Sequence, residues 1–233
     1  TIDGVLSTLS LDISAGGGSD QIRSGSGSDT IYGGLGNDVL EAHSGRDLIY
    51  GGLGDDTLDG GSDDDTLFGG AGRDEIGGGG GNDLLYGGAD GDNVSGGEGN
   101  DLLYGESGDD SIDGDVGEDT IHGGSGADTV SGGLGNDYLI VSSGDEARGE
   151  SGDDTFYIDG AEAGNATISI FGEDIGEVIG GAGDLLNLTD VNVLSLNSGS
   201  AVFENGSGQQ LQLNFTGIET VLYDDGGDIS LKV

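Results

Sequence analysis

From Ala15 to Ile140 an aliphatic residue returns at every ninth position: Ile22, Ile31, Leu40, Ile49, Leu58, Leu67, Ile76, Leu85, Val94, Leu103, Ile112, Ile121, Val130 and Leu139. The 126 residues divide into 14 units of nine without one insertion or deletion. Alternation along a strand sends the eighth position of each unit to one face and the seventh and ninth to the other. The start of each unit is rich in glycine, as in Gly33-Gly34-Leu35-Gly36-Asn37-Asp38-Val39-Leu40-Glu41 and Gly51-Gly52-Leu53-Gly54-Asp55-Asp56-Thr57-Leu58-Asp59. Closely spaced glycines allow the positive φ angles of tight turns, and Asp63 and Asp90, which replace glycine at the fourth position, tolerate that region better than most residues. Each unit is therefore predicted to be six turn residues followed by three strand residues. A single unit buries almost nothing, so the stability has to come from stacking.

A longer period of 18 residues overlies the first. The ninth position of the even-numbered units reads Tyr32, Tyr50, Phe68, Tyr86, Tyr104, His122 and Ile140; in the odd-numbered units it reads Arg23, Glu41, Asp59, Gly77, Ser95, Asp113 and Ser131. The seventh position follows, with Leu48, Leu84, Leu102 and Tyr138 against Gln21, Glu75, Asn93 and Ser111. Two units per coil would give one solvated outer face and one bearing a ladder of rings. Two uses of the ladder are open: stacking within the chain or cover by its C-terminal part, and docking of a second subunit or a protein partner through Tyr32, Tyr50, Phe68, Tyr86 and Tyr104, since so long an apolar strip is unusual on a free monomer. His122 is expected to be a stacked ring of this ladder and His43 a solvated turn residue.

Composition narrows the chemistry. The chain has 46 acidic residues against 5 Lys and Arg, a formal net charge of −41, 55 glycines, and no Pro, Cys, Met or Trp. Such a balance repels nucleic acid and anionic membranes, which bind proteins largely through Lys and Arg, and leaves cations as natural partners. Disulfides, thiolate metal sites and cysteine nucleophiles are excluded. No run approaches the roughly 20 apolar residues of a membrane span. This much like charge with so little hydrophobicity normally means disorder, and the regular placement of the aliphatic residues argues against it.

The acids have a place in the period. The sixth position is aspartate in all 14 units: Asp20, Asp29, Asp38, Asp47, Asp56, Asp65, Asp74, Asp83, Asp92, Asp101, Asp110, Asp119, Asp128 and Asp137. Stacked at the strand spacing of about 4.8 Å, these carboxylates would repel one another strongly. Calcium between them reverses the sign, because a hard cation takes six to eight oxygens and a loop of Gly and Asp supplies carbonyls and carboxylates without obstruction.

The units resemble the G-G-x-G-x-D-x-U-x nonapeptide of the RTX, or haemolysin-type, calcium-binding repeats. That resemblance implies an all-β fold, a right-handed parallel β-roll in which two units make one coil and Ca²⁺ lies between consecutive turns on the same edge. It also implies the sixth-position aspartates as carboxylate ligands, with backbone carbonyls of the glycine-rich turns completing the shell. The matching fourth-position glycines are Gly18, Gly27, Gly36, Gly45, Gly54, Gly72, Gly81, Gly99, Gly108, Gly117, Gly126 and Gly135. With neighbours 18 residues apart, Asp20 pairs with Asp38 and Asp29 with Asp47, which allows at most 12 complete sites along two edges. Metal binding and folding then become one equilibrium.

Residues 1–14 lack the turn motif, but Leu9, Leu11 and Ile13 alternate with polar residues and read as a capping strand. Residues 15–157 form the roll. Past Ile140 the phase slips by one residue, with Glu146 standing where aspartate is expected, and a last unit follows at Gly149–Tyr157. Residues 158–233 read as a C-terminal β segment that caps or assembles, with short strands at Thr167–Ile170, Leu186–Leu188, Val193–Leu196, Val202–Phe203 and Leu211–Phe215 and a turn at Asn205-Gly206. A cap is expected because an open stack exposes its last edge. Gly180-Gly181-Ala182-Gly183-Asp184 echoes the motif, and Asp228–Val233 is similar to the C-terminal signals of type I secretion.

No catalytic constellation appears: two histidines sit inside the repeats and paired acids follow from the period, so no enzyme is expected. The reading that follows is an extracellular or cell-surface bacterial protein, exported by the type I route, that folds on calcium and adheres or self-assembles as a surface layer, adhesin or filament. The alternative is an accessory module of a larger secreted enzyme of the alginate epimerase, protease or lipase type, or the repeat region of a pore-forming toxin; a catalytic domain ahead of Thr1 would mark it.

Overall fold

A computed structural model describes residues 1–142 and 144–158, together with the strand backbones Thr167–Phe171, Asp184–Leu188, Val191–Asn197, Ser200–Asn205, Gln210–Thr216, Ile218–Tyr223 and Gly227–Ile229. Every element among these is a strand. From Ile2–Ser7 to Asp184–Leu188 successive strands alternate between two sheets, of 13 and 12 strands in all, and each pairs in parallel with the strand one coil away. The register is the 18-residue one: Leu84 lies opposite Leu102, Leu85 opposite Leu103 and Tyr86 opposite Tyr104. The result is a β-solenoid of two units per coil, in which odd and even units take opposite sides as the ninth positions foretold.

The eighth positions form the core. From Ile22 to Leu139 each is at most 2% exposed, and Ala147 and Phe156 continue the column. Each side chain is packed between the two sheets and against its like in the coils above and below, so truncating one to alanine should cost about 2–5 kcal/mol. At the N-terminal end Ile13 enters this core, Leu11 lies partly against it and Leu9 is 72% exposed.

The strands are longer than the three residues predicted from the pattern. Leu48–Leu53 and its equivalents run six residues, through the first three positions of the following unit. Gly34 lies opposite Gly52 and Leu35 opposite Leu53, and the Gly36 N–H donates to the Leu53 carbonyl at 2.7 Å. The second-position glycine is what makes this possible. At φ +111° Gly34 re-aims the chain without leaving the ladder, and only positions four to six then turn the corner.

The C-terminal strands carry both sheets onward. Ala147 pairs with Ile170, and Phe156 with Leu186, which pairs in turn with Val221. Beyond them the pairing becomes antiparallel, Val191–Asn197 with Ser200–Asn205 and Ser200–Asn205 with Gln210–Thr216. The predicted strands of this segment are thus present. Gly180–Gly183 of the motif echo, the turn glycine Gly206 and Ser230–Val233 at the secretion-like ending lie outside the described residues.

Candidate metal centre

Each turn joins a six-residue strand of one sheet to the next strand of the other, and its last residue is the sixth-position aspartate. Two rows result, one along each edge of the roll: Asp20, Asp38, Asp56, Asp74, Asp92, Asp110 and Asp128, and Asp29, Asp47, Asp65, Asp83, Asp101, Asp119 and Asp137. From Asp29 onward all are at most 3% exposed. Asp20 stands at the open end, with its side chain 30% exposed and the Thr1 amine 3.9 Å from its Oδ1.

Within a row the two carboxylate oxygens have different roles. Oδ1 accepts the backbone N–H of the residue one coil earlier: Asp38 from Asp20 at 2.7 Å, Asp47 from Asp29 at 2.6 Å, Asp119 from Asp101 at 2.7 Å. Oδ2 of every aspartate from Asp29 to Asp137 is buried and accepts no hydrogen bond. Leaving one buried polar atom unmet costs about 1–3 kcal/mol and more when it is charged, so a whole column of them calls for a ligand.

The surroundings of Oδ2 say what kind. A Cβ built on Gly33 would fall 2.6 Å from Asp38 Oδ2 and 2.6 Å from the Gly51 carbonyl oxygen of the next coil. The first-position glycine therefore leaves its carboxylate facing main-chain oxygen, and the same pair recurs at Gly51, Gly60 and Gly87 with Asp56, Asp65 and Asp92. Ala15, Ser24 and Ala42 fill that position in three units, the last two fully buried.

Burial and neighbouring carboxylates raise Asp47, Asp56, Asp65, Asp74, Asp92 and Asp119 well above the ordinary value of 3.8, against the opposing effect of the backbone N–H that each accepts. Asp65 is pushed up to about 8, Asp47, Asp92 and Asp119 to about 7, and Asp56 and Asp74 to about 6. Among the described residues no side-chain cation forms an ion pair with them. The four arginines of the described residues sit at the surface with other acids, Arg23 with Glu41, Arg46 with Asp64, Arg73 with Asp55 and Arg148 with Glu146.

Among the described residues no three Asp, Glu or His side chains gather at one point. A bound ion would accordingly be held by one or two carboxylates and by carbonyl oxygens, an all-oxygen set that suits a hard divalent cation. The fourth-position glycines belong to the same turns. Gly36, Gly45 and Gly54 have φ of +108°, +113° and +124°, and a Cβ on each would lie 2.5–2.7 Å from the fourth-position carbonyl oxygen of the preceding coil. The same positive φ and the same overlap hold at Gly72, Gly81, Gly99, Gly108, Gly117, Gly126 and Gly135, while Gly18 and Gly27 form the first turn of each row. Asp63 and Asp90 take φ of +78° and +75°, as expected of glycine substitutes.

Two features escaped the sequence reading. The first is at the phase slip, where Asp145 and not Glu146 stands in for the sixth-position aspartate: it is 1% exposed and accepts the Asp128 N–H at 3.0 Å. The missing residue falls ahead of it in the turn, so Glu146 lies opposite Thr129 at the seventh position and Ala147 fills the core. Here Oδ2 is not orphaned, because the shortened turn ends the strand at Val141 and frees the Ser142 N–H to donate to it at 2.6 Å. The second is a ladder on the outer side of the turns at position five. Asn82 Oδ1 accepts the Asn100 N–H at 2.8 Å and Asn100 Oδ1 accepts the Glu118 N–H at 2.9 Å. Nine of the 14 fifth positions are Asn, Asp or Ser, which was the available signal. These bonds run from each side chain to the later coil, opposite in sense to those of the sixth position.

The rings of the even units stack as the pattern predicted. Tyr32, Tyr50, Phe68, Tyr86 and Tyr104 lie 4.8–5.0 Å apart with planes within 6° of parallel. His122 joins the ladder tilted by 31° at 6.0 Å. His43, expected in a turn, instead ends the strand Val39–His43, where it is exposed at φ +78°.

A family model of the RTX calcium-binding nonapeptide repeat, four copies long, matches residues 14–49, 41–76, 50–85, 59–94, 86–121 and 104–139. Together these matches span 14–139, more than half of the chain. No curated protein matches the chain significantly. With the nonapeptide, the parallel roll and the two rows of buried aspartates in agreement, the chain belongs to the RTX family and is a calcium-binding repeat protein.

Proposed function

We propose that this chain is an extracellular structural or interaction protein whose roll folds when Ca²⁺ enters the two rows of turns, and that the folded roll adheres or self-assembles. The sixth-position aspartates from Asp29 to Asp137 supply the carboxylates, and Asp20 joins them at the first coil. Carbonyl oxygens of the glycine-rich turns complete each shell, and up to about 12 ions enter the regular units. Residues 1–14 and 158–233 act as end caps, the latter also as an assembly segment. The observation that carries the reading is the column of buried Oδ2 atoms without a donor. An ion between coils answers that unmet charge, and only a compartment rich in calcium provides it, since extracellular modules bind at about 10⁻⁴ to 10⁻³ M. Low cytosolic calcium would keep the chain unfolded for type I export.

The test is a calcium titration followed by circular dichroism and by equilibrium dialysis. Cooperative gain of β structure with several ions bound per chain is the expected result. A chain equally ordered in EGTA, or one binding a single ion, overturns the proposal.

A further inference from the structure

Six consecutive strands of one sheet, Thr30–Leu35, Leu48–Leu53, Thr66–Ala71, Leu84–Ala89, Leu102–Ser107 and Thr120–Ser125, contain one formally charged side chain, Glu106. In a chain where about one residue in five is acidic, that is a marked exclusion. The opposite sheet shows no such exclusion, with Arg23, Glu41, Asp59, Glu75, Glu98 and Asp113 on its strands over the same coils. On the uncharged sheet the rings cover one another, and Tyr32, Leu35 and Leu53 remain 41%, 57% and 54% exposed.

We infer that this face is the contact between two copies of the chain, packed sheet against sheet. The inference rests on the calcium-folded roll proposed above and names its partner. Three observations favour a second copy over another occupant. First, a basic partner would be drawn to the charged sheet, whereas this one rewards only an apolar surface. Second, the rungs recur at 4.8–5.0 Å. Keeping apolar groups in step over six rungs requires a partner of the same repeat, which another copy of this sheet has. Third, the C-terminal strands Asp184–Leu188 and Ile218–Tyr223 extend the end of this sheet by pairing, so they add rungs to this face.

The size is adequate for a calcium-dependent dimer. Six rungs at about 4.8 Å and six residues at about 3.3 Å give a footprint of about 570 Å². Both partners together bury about 1,150 Å², close to the lower bound for specific interfaces.

Sedimentation of the full chain in millimolar calcium tests the contact. The wild-type chain should sediment as a dimer, and the double variant Leu35→Glu/Leu53→Glu as a monomer, with its dimer dissociation constant raised at least tenfold. Calcium-induced circular dichroism should be the same in both, which separates loss of contact from loss of fold. Ser95→Glu, on the charged sheet, should stay dimeric. A folded wild-type monomer, with or without affinity for a polymer such as alginate, overturns the inference, as does a double variant that remains a dimer. Circular dichroism reads the calcium-folding proposal and sedimentation reads the contact, so either can fail alone.

Discussion

Asp56 holds the backbone of the coil before it with one oxygen and leaves the other bare: Oδ1 accepts the Asp38 N–H at 2.7 Å, and Oδ2, equally buried, meets no donor. The same side chain therefore accepts an amide from one coil and charges the gap to it. Whether the roll stands depends on what neutralises that gap.

Removal of calcium at neutral pH should unfold the roll. With the ions gone, two rows of buried carboxylates repel at strand spacing, and the only compensations are the Oδ1 bonds. Circular dichroism at pH 7.5 should lose its β signal on addition of EGTA and regain it when calcium is restored.

Acid should partly replace calcium. Four of the folded carboxyls lie above the ordinary 3.8, at about 6 for Asp56 and Asp74, about 7 for Asp47 and about 8 for Asp65. The folded state consequently binds more protons than the unfolded chain between about pH 4 and pH 8, and the stability of the metal-free roll falls as pH rises through that window. In EGTA the chain should gain β structure between pH 8 and pH 4. Calcium affinity should change in the opposite direction, rising with pH as protons cease to compete. Loss of metal-free structure on acidification would contradict the assignment.

Glycine positions should divide sharply. Gly54→Ala places a Cβ 2.5 Å from the Gly36 carbonyl oxygen at φ +124°, and should cost at least about 2 kcal/mol from the backbone conformation and overlap together. A Cβ at Gly77 meets nothing within 4 Å, and its φ is not positive. Gly77→Ala should leave stability unchanged or raise it by up to about 1 kcal/mol. Urea unfolding at saturating calcium measures both.

The shortened turn should take no part in the ion count. Asp145 Oδ2 is already met by the Ser142 amide, so Asp145→Asn should lower stability without removing an ion. Asp110→Asn strikes an orphaned oxygen and should reduce the calcium bound per chain by one or raise the midpoint of calcium-induced folding severalfold. Equilibrium dialysis of both variants distinguishes them; equal losses would show that Asp145 is an ordinary ligand.

The aliphatic column, the 18-residue pairing and the ring ladder were all legible in the chain, because each is a one-residue-per-unit signal that repetition amplifies. The aspartate rows were legible for the same reason. What a single unit obscures is how main chain is shared between units. Gly33, Gly34 and Leu35 read as turn by composition, yet their peptides continue the ladder because the coil beyond, at Gly52 and Leu53, is there to receive them. The fifth-position ladder was hidden by its tolerance, since Asn, Asp and Ser all accept the same amide. Asp145 was missed because counting in nines assigns a deletion to no particular place, and only the pairing of Thr129 with Glu146 shows that it precedes the aspartate.

The register of Phe68 on Tyr50 and of Tyr86 on Phe68 limits how such a chain can lengthen. Duplicating one nonapeptide ahead of Gly78 would reverse the parity of everything downstream, carrying Tyr86 and Tyr104 to the acidic side and setting Asp113 beneath the rings. Growth by pairs leaves both faces intact. Genes for rolls of this kind should therefore gain and lose coding segments of 18 residues far more readily than segments of nine.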